Sequence, residues 1–225
     1  MEIDTLEKLE RLAEVAPMSD ASDIEGIFHA HLTVEVGPDS LDGLKDLCRR
    51  QGVKLTVVDL EKGSRRQRDV MTTSYYREVG RGAVARIVRK LHGLAGELEA
   101  AGYPVVRAKL EHESRPTIST FSRSRYHEVH IKLDIPAASF EARRRRLAEL
   151  ESEKGFVASS NPREQGAERV FQFVNLRIYD GDLAAADARV EALVQDLEAE
   201  GFVIRETKQE TVVFDTRLEL DAWWA

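Results

Sequence analysis

Residues 82–111 read GAVARIVRKLHGLAGELEAAGYPVVRAKLE, and the pattern they carry returns 99 positions later. Val84, Ile87, Val88, Leu91, Leu94, Ala95 and Leu98 trace one face of a helix, and Gly102 stops it. Leu183, Val190, Leu193, Val194 and Leu197 match Val84, Leu91, Leu94, Ala95 and Leu98 at that offset, and Gly201 matches Gly102. The segments that follow, GYPVVRAKLE (102–111) and GFVIRETKQE (201–210), place Lys109 with Lys208 and Glu111 with Glu210. One offset shared by a helix, its stop and the next strand predicts a duplicated chain.

Working outward, each half reads in the same order. FHAHLTVEV alternates as a strand, Leu41 to Gln51 form a helix, and VKLTVVDL and VMTTSYYREV are two strands joined by the polar tip EKGSRRQRD. The long helix and VVRAKLEHE complete β-α-β-β-α-β. HEVHIKLDI, a helix from Ala137 to Lys154, FVASS, RVFQFVNLRIYD, the helix from Leu183 to Glu200 and FVIRETKQETVVFD repeat it. Pro38-Asp39-Ser40 and Gly181-Asp182 supply turn and N-cap residues where helices should begin. The expected fold class is α+β, a tandem pair of ferredoxin-like βαββαβ repeats, each an antiparallel sheet with both helices on one face. The boundaries follow. Residues 1–24 hold a short amphipathic helix (Ile3, Leu6, Leu9, Leu12) and the PMSDASD linker, residues 25–113 are repeat 1, 114–125 a Ser- and Arg-rich linker interrupted by Pro116, and 126–225 repeat 2.

At 225 residues, 42% hydrophobic and 32% charged, the composition is that of a soluble globular protein with enough apolar side chains to build a core. A formal net charge of −7 does not favour nucleic acid or an anionic membrane as partner. No apolar run reaches the length of a membrane helix, and MEIDTLEKLERLAEV is too acidic for a secretory signal, so a cytoplasmic location is expected. The single Cys48 continues the Leu41, Leu44, Leu47 stripe and reads as a buried thiol. G-x-S-x-G, G-x-x-x-x-G-K-[ST] and paired cysteines are all absent, so those hydrolase, nucleotide-loop and zinc-finger chemistries have no support.

Alternation assigns the strand faces. Phe28, Ala30, Leu32, Val34 and Val36 should meet the helices, sending His29, His31, Thr33 and Glu35 the other way. In YHEVHIKLDI (126–135), Val129, Ile131, Leu133 and Ile135 go in while Glu128, His130, Lys132 and Asp134 go out. His31 and His130 again differ by 99 positions. Arg107, Lys109, Glu111, Glu206, Lys208 and Glu210 join this polar set, as do Phe171, Phe173, Asn175 and Arg177. A solvated sheet face explains such a pattern blandly. Two histidines at corresponding places go beyond it, because imidazole exchanges a proton near neutrality. His29 and His31, two apart on one strand, with Glu128, His130 or Asp134, could also hold a divalent metal.

HLTV (31–34) resembles the H-x-T-hydrophobic motif of the two-histidine phosphoesterases, which carry it once in each of two lobes. The resemblance implies His31 and His130 as general base and acid and Thr33 as a phosphate contact; in the second copy, HIKL, Lys132 stands where the threonine belongs. EVHIK (128–132) is similar to the Glu-x-Glu-x-Lys strand of the triphosphate tunnel enzymes, with His130 in place of a carboxylate. That likeness implies Arg107, Lys109, Lys132, Arg177 and Lys208 as phosphate contacts and Glu128, Glu206 and Glu210 as ligands of a divalent ion. The second half is also similar to a group of bacterial proteins, a likeness that brings no activity with it.

The expected function is binding of a small phosphate-bearing ligand, with hydrolysis left open, where the two open faces turn toward a shared cleft. The competing reading is a non-catalytic interaction or regulatory module. Three basic clusters, at Arg65, Arg66 and Arg68, at Arg123 and Arg125, and at Arg143 to Arg146, invite nucleic acid, but the last alternates with Glu141 and Glu149 at ion-pair spacing. Trp223 and Trp224 would be costly in water and are expected to cover a sheet edge or another subunit, as in a homodimer.

Overall fold

The computed structural model describes residues 4–15, 26–37, 40–62, 65–80, 82–113, 126–162, 165–179 and 183–220. The PMSDASD segment, Pro38-Asp39, the 114–125 linker with Arg123 and Arg125, Gly181-Asp182 and the two tryptophans lie outside the described residues. Among the described residues five α-helices and eight strands follow in order: α1 (Thr5–Val15), β1 (Gly26–Val34), α2 (Leu41–Gln51), β2 (Lys54–Lys62), β3 (Arg65–Glu78), α3 (Ala83–Ala100) and β4 (Val105–Glu113), then β5 (Tyr126–Pro136), α4 (Phe140–Lys154), β6 (Val157–Ser160), β7 (Arg169–Ile178), α5 (Leu183–Ala199) and β8 (Val203–Asp215). Mixed helices and antiparallel strands bear out the α+β class.

The chain divides into two compact units. The first comprises residues 1–56, 70–125 and 211–219; the second comprises 57–69, 126–210 and 220–225. The units therefore depart from a simple cut between residues 113 and 126, because the tip of the β2–β3 hairpin belongs to the second unit and the end of β8 to the first.

In the first unit β1 pairs antiparallel with β3 on one side and β4 on the other, giving the order β4-β1-β3-β2. The apolar face of β1 behaves as alternation requires: Phe28, Ala30 and Leu32 are fully buried and Val34 nearly so. Ile87, Val88, Leu91, Ala95 and Leu98 of α3 and Leu44 and Leu47 of α2 are buried with them, and Cys48 is a buried free thiol, as expected. Removing each large aliphatic side chain from water contributes about 1.5–3 kcal/mol. Helix α1 packs on α3 and β4 with Leu9 fully buried, and Lys8 Nζ donates to the Thr216 carbonyl at 2.8 Å.

In the second unit β5 pairs antiparallel with β7, and β7 with β6, giving β8-β5-β7-β6. Val129, Ile131, Leu133 and Ile135 of β5 form one core with Leu147 and Leu150 of α4 and with Val190, Leu193 and Leu197 of α5. The 99-residue offset survives into backbone geometry. Gly102 and Gly201 both adopt the left-handed conformation, at φ 84° and 77°, and the next amides close the turn identically, Tyr103 N to Leu98 O and Phe202 N to Leu197 O, each at 3.0 Å.

Two expectations are corrected. The hairpin is longer than its apolar residues indicate: β2 and β3 extend to Lys62 and Arg65, so most of the polar tip is strand, and Arg68 grips Asp59 across it with Nε at 2.6 Å and Nη2 at 2.9 Å. The sheet edges are also paired. Asp59, Leu60 and Glu61 of β2 pair with Ser160, Ser159 and Ala158 of β6, and β8 neighbours β4, so the strand order is cyclic, β1-β3-β2-β6-β7-β5-β8-β4. Two separate four-stranded sheets would leave rows of unpaired amides and carbonyls at their edges; pairing removes them. Among the described residues no helix is long and apolar enough to cross a membrane.

Candidate functional site

Much of the polar strand faces is buried. Glu111 and Glu128 are 1% and 2% exposed, and Arg107, Asn175, Arg177 and Glu210 are also buried. A carboxylate or guanidinium taken from water is costly unless paired, so the partners decide what each group can do.

In the first unit the register sets His31 of β1 directly opposite Thr73 of β3 and Lys109 of β4, three side chains in a row across one face. Glu111, two residues beyond Lys109, lies on the same face. His31 Nδ1 is 3.1 Å from Thr73 Oγ1, and Nε2 is 2.9 Å from Glu111 Oε2. The other Glu111 oxygen takes Lys109 Nζ at 2.6 Å, and Thr73 Oγ1 continues to Thr56 Oγ1 at 2.8 Å. His29, buried beside Glu111, packs edge-on against Tyr75 and places Nε2 3.4 Å from Glu113.

The second unit assembles the same set. His130 of β5 faces Asn175 of β7, with Nδ1 2.8 Å from Asn175 Oδ1. His130 Nε2 lies 3.6 Å from Glu210 Oε2, and Lys208 Nζ lies 3.1 Å from Glu210 Oε1. His31, Lys109 and Glu111 therefore recur as His130, Lys208 and Glu210, each 99 positions on. The copies differ in access: the side chains of His130 and Lys208 are each 28% exposed, against 16% for His31 and 12% for Lys109.

Other expected contacts are placed apart from these triads. Arg107 is joined to Asp215 in a buried pair, Nε to Oδ1 at 3.0 Å, and Thr33 is buried opposite Arg107 in the β1–β4 register. Burial pushes the Asp215 carboxyl up, but the hydrogen bond and charge of Arg107 outweigh it and hold the group below the usual carboxylate range. Arg177 donates to Glu128 at 3.2 and 3.3 Å and stacks on Tyr126. Lys132 sits over Phe171 and Phe173, 4.6 and 5.5 Å from the ring centres. Asp134 is gripped by Arg169 and approached by Arg205, and the Arg169 hydrogen bond holds its carboxyl below the usual carboxylate range. Glu206 is exposed.

The sequence leaves Glu111 as an anonymous member of a charged face and gives Glu210 only the ion-ligand role that a resemblance implies; the alternation that places them beside Lys109 and Lys208 is the available signal. Of the residues that fix the other side of each imidazole, Asn175 is legible only as a member of that polar set, and Thr73 gives no signal beyond lying on a third strand. Of the basic clusters, Arg146 of α4 is paired with Glu200 and Glu149, and Arg143 Nη1 donates to the Glu200 carbonyl at 2.6 Å. Arg146–Glu149 and Arg144–Glu141 have the intrahelical spacing that pointed to an ion-paired helix, whereas the contacts to Glu200 reach the end of α5.

No family model matches the chain, and no curated protein matches it. Solved structures give distant likenesses. The acetolactate synthase small subunit of Thermotoga maritima is similar over 84% of this chain and 95% of its own, at 11% identity and a TM-score of 0.29. A candidate monooxygenase from Fusobacterium nucleatum subsp. nucleatum is similar over 84% and 92%, at 7% identity and a TM-score of 0.31.

Proposed function

We propose that the chain is a tandem pair of ferredoxin-like repeats that binds a small phosphate-bearing ligand through its His–Glu–Lys clusters, chiefly the one formed by His130, Glu210 and Lys208. The strand orders β4-β1-β3-β2 and β8-β5-β7-β6 support the repeat reading. One observation carries the functional reading. A buried ion pair contributes little net stability against an apolar replacement, yet a lysine, a glutamate and a histidine are gathered twice, at positions 99 residues apart. Retention of so costly a group twice favours a use for it. Lysine offers a point charge to a phosphate and imidazole a donor or acceptor beside it.

The second cluster is the better candidate because both of its basic side chains reach solvent. Arg107 and Arg177, committed to Asp215 and Glu128, are framework in this reading. That same internal pairing favours the alternative of a non-catalytic regulatory module, in which the charged groups only hold the strands.

The test is a thermal-shift screen of wild type, Lys208→Ala and His130→Ala against nucleotides, cyclic phosphates and polyphosphate, with and without magnesium. A ligand that binds only the folded chain raises its melting temperature. A rise in wild type that both variants lose supports the proposal. Equal rises in all three proteins, or none in any, overturn it in favour of the regulatory module.

A further inference from the structure

The two clusters match in residue type, but the partners of their imidazoles differ, and hydrogen-bond bookkeeping makes the two histidines chemically unequal. Asn175 Nδ2 lies 2.9 Å from the Val157 carbonyl and 2.8 Å from Ser159 Oγ. A carbonyl oxygen only accepts, so the amide nitrogen of Asn175 must point at Val157 and its oxygen at His130. That oxygen is 2.8 Å from His130 Nδ1, and two acceptors cannot share a contact this short without a proton between them. Nδ1 of His130 therefore carries the hydrogen.

His31 is wired the other way. Its Nε2 is 2.9 Å from Glu111 Oε2, which requires the hydrogen on Nε2. Its Nδ1 faces the Thr73 hydroxyl, which can donate, with Thr56 behind it to donate in turn. In the neutral state His31 is the Nε2–H form and His130 the Nδ1–H form.

We infer that Asn175 is a positioning residue that makes Nε2 of His130 the proton acceptor of the second cluster, whereas His31 serves the first as a fixed link between strands. The inference rests on the proposed phosphate reading only for its consequence. A ligand arriving as a protonated phosphate meets a lone pair at Nε2: its O–H bond breaks, an N–H bond forms, and the proton stays on an imidazolium beside Glu210 while the newly charged oxygen lies near Lys208. The cluster would thus take up the protonated ligand and hold it fully ionised, with the proton on His130.

Proton-detected long-range nitrogen correlation spectra of the whole 15N-labelled chain, recorded above pH 8, read the tautomers directly, with His130→Gln used for assignment. The expected result is a protonated Nδ1 and an unprotonated Nε2 on His130, with the reverse on His31. In Asn175→Leu the His130 signals should move toward the Nε2–H form while those of His31 stay, which also shows that the variant is folded. An Nε2–H tautomer at His130 in wild type overturns the inference whether or not the variant folds, and so does a wild-type pattern that survives in Asn175→Leu. Failure of every phosphate to bind would leave the tautomer result standing, so the two readings fail separately.

Discussion

Arg107 and Asp215, 108 residues apart, join β4 to the end of β8 through two parallel hydrogen bonds in a site from which water is excluded. A planar guanidinium matched to a carboxylate is the strongest of the common ion-pair geometries. Its stability contribution nevertheless depends on both partners being present.

Arg107→Ala is expected to destabilise the chain by about 3–5 kcal/mol, because it strands a buried carboxylate. Replacing both residues by apolar ones of similar size should cost much less. Urea denaturation of the two variants at neutral pH measures the difference; equal losses would show that packing, not charge, dominates there.

The same carboxylate gives a pH dependence. Asp215 titrates below its unfolded value, so its contribution is complete above the ordinary carboxylate range, about pH 4, and is lost as pH falls through its folded-state value. The acid limb of the stability curve should therefore flatten in the Arg107→Met, Asp215→Leu double variant. An unchanged limb would locate the acid-sensitive groups elsewhere.

Gly102 and Gly201 close equivalent helices in the left-handed conformation. Gly102→Ala should cost about 1–2 kcal/mol from backbone strain alone, since no atom lies within 4 Å of the added carbon. Gly201→Ala should cost more, because that carbon would sit 3.2 Å from Arg143 Nη2. Denaturation midpoints that rank the other way would mean the guanidinium moves aside freely.

Cys48 is 2% exposed within the α2 face. Its reaction with a bulky disulfide reagent should be far slower than that of the urea-unfolded chain. A fast native reaction would reveal local opening of α2.

Much of this architecture is legible in the amino-acid sequence. The offset linking Leu98 and Gly102 to Leu197 and Gly201 predicted two helices with the same ending, and the alternation in HEVHIKLDI correctly separated Ile131 and Leu133 from Glu128 and His130. Burial of the polar face was not legible, because alternation tells which way a side chain points and not what covers it. The triads were hidden for a related reason. Lys109 meets the His31 cluster only because β4 pairs with β1 in one register, and a slip of one residue would turn Glu111 to the other face. The full length of the β2–β3 hairpin is not legible because its outer residues are polar, and their strand is held by Arg68 and Asp59 and by pairing with β6, contacts without an apolar signature.

Strand β8 begins in one unit and finishes in the other: residues through Glu210 belong with β5 to β7, while Thr211 onward belongs with β1 to β4, where the Thr216 amide reaches the Ala108 carbonyl at 3.0 Å. In order of synthesis, the first unit must wait for a piece made about a hundred residues after its own fourth strand. Until then Arg107 lacks its carboxylate, and closing so long a loop is slow and entropically costly. The two units are thus interlaced along the sequence, so a ribosome that has made only residues 1–125 has not yet made the whole of the first unit.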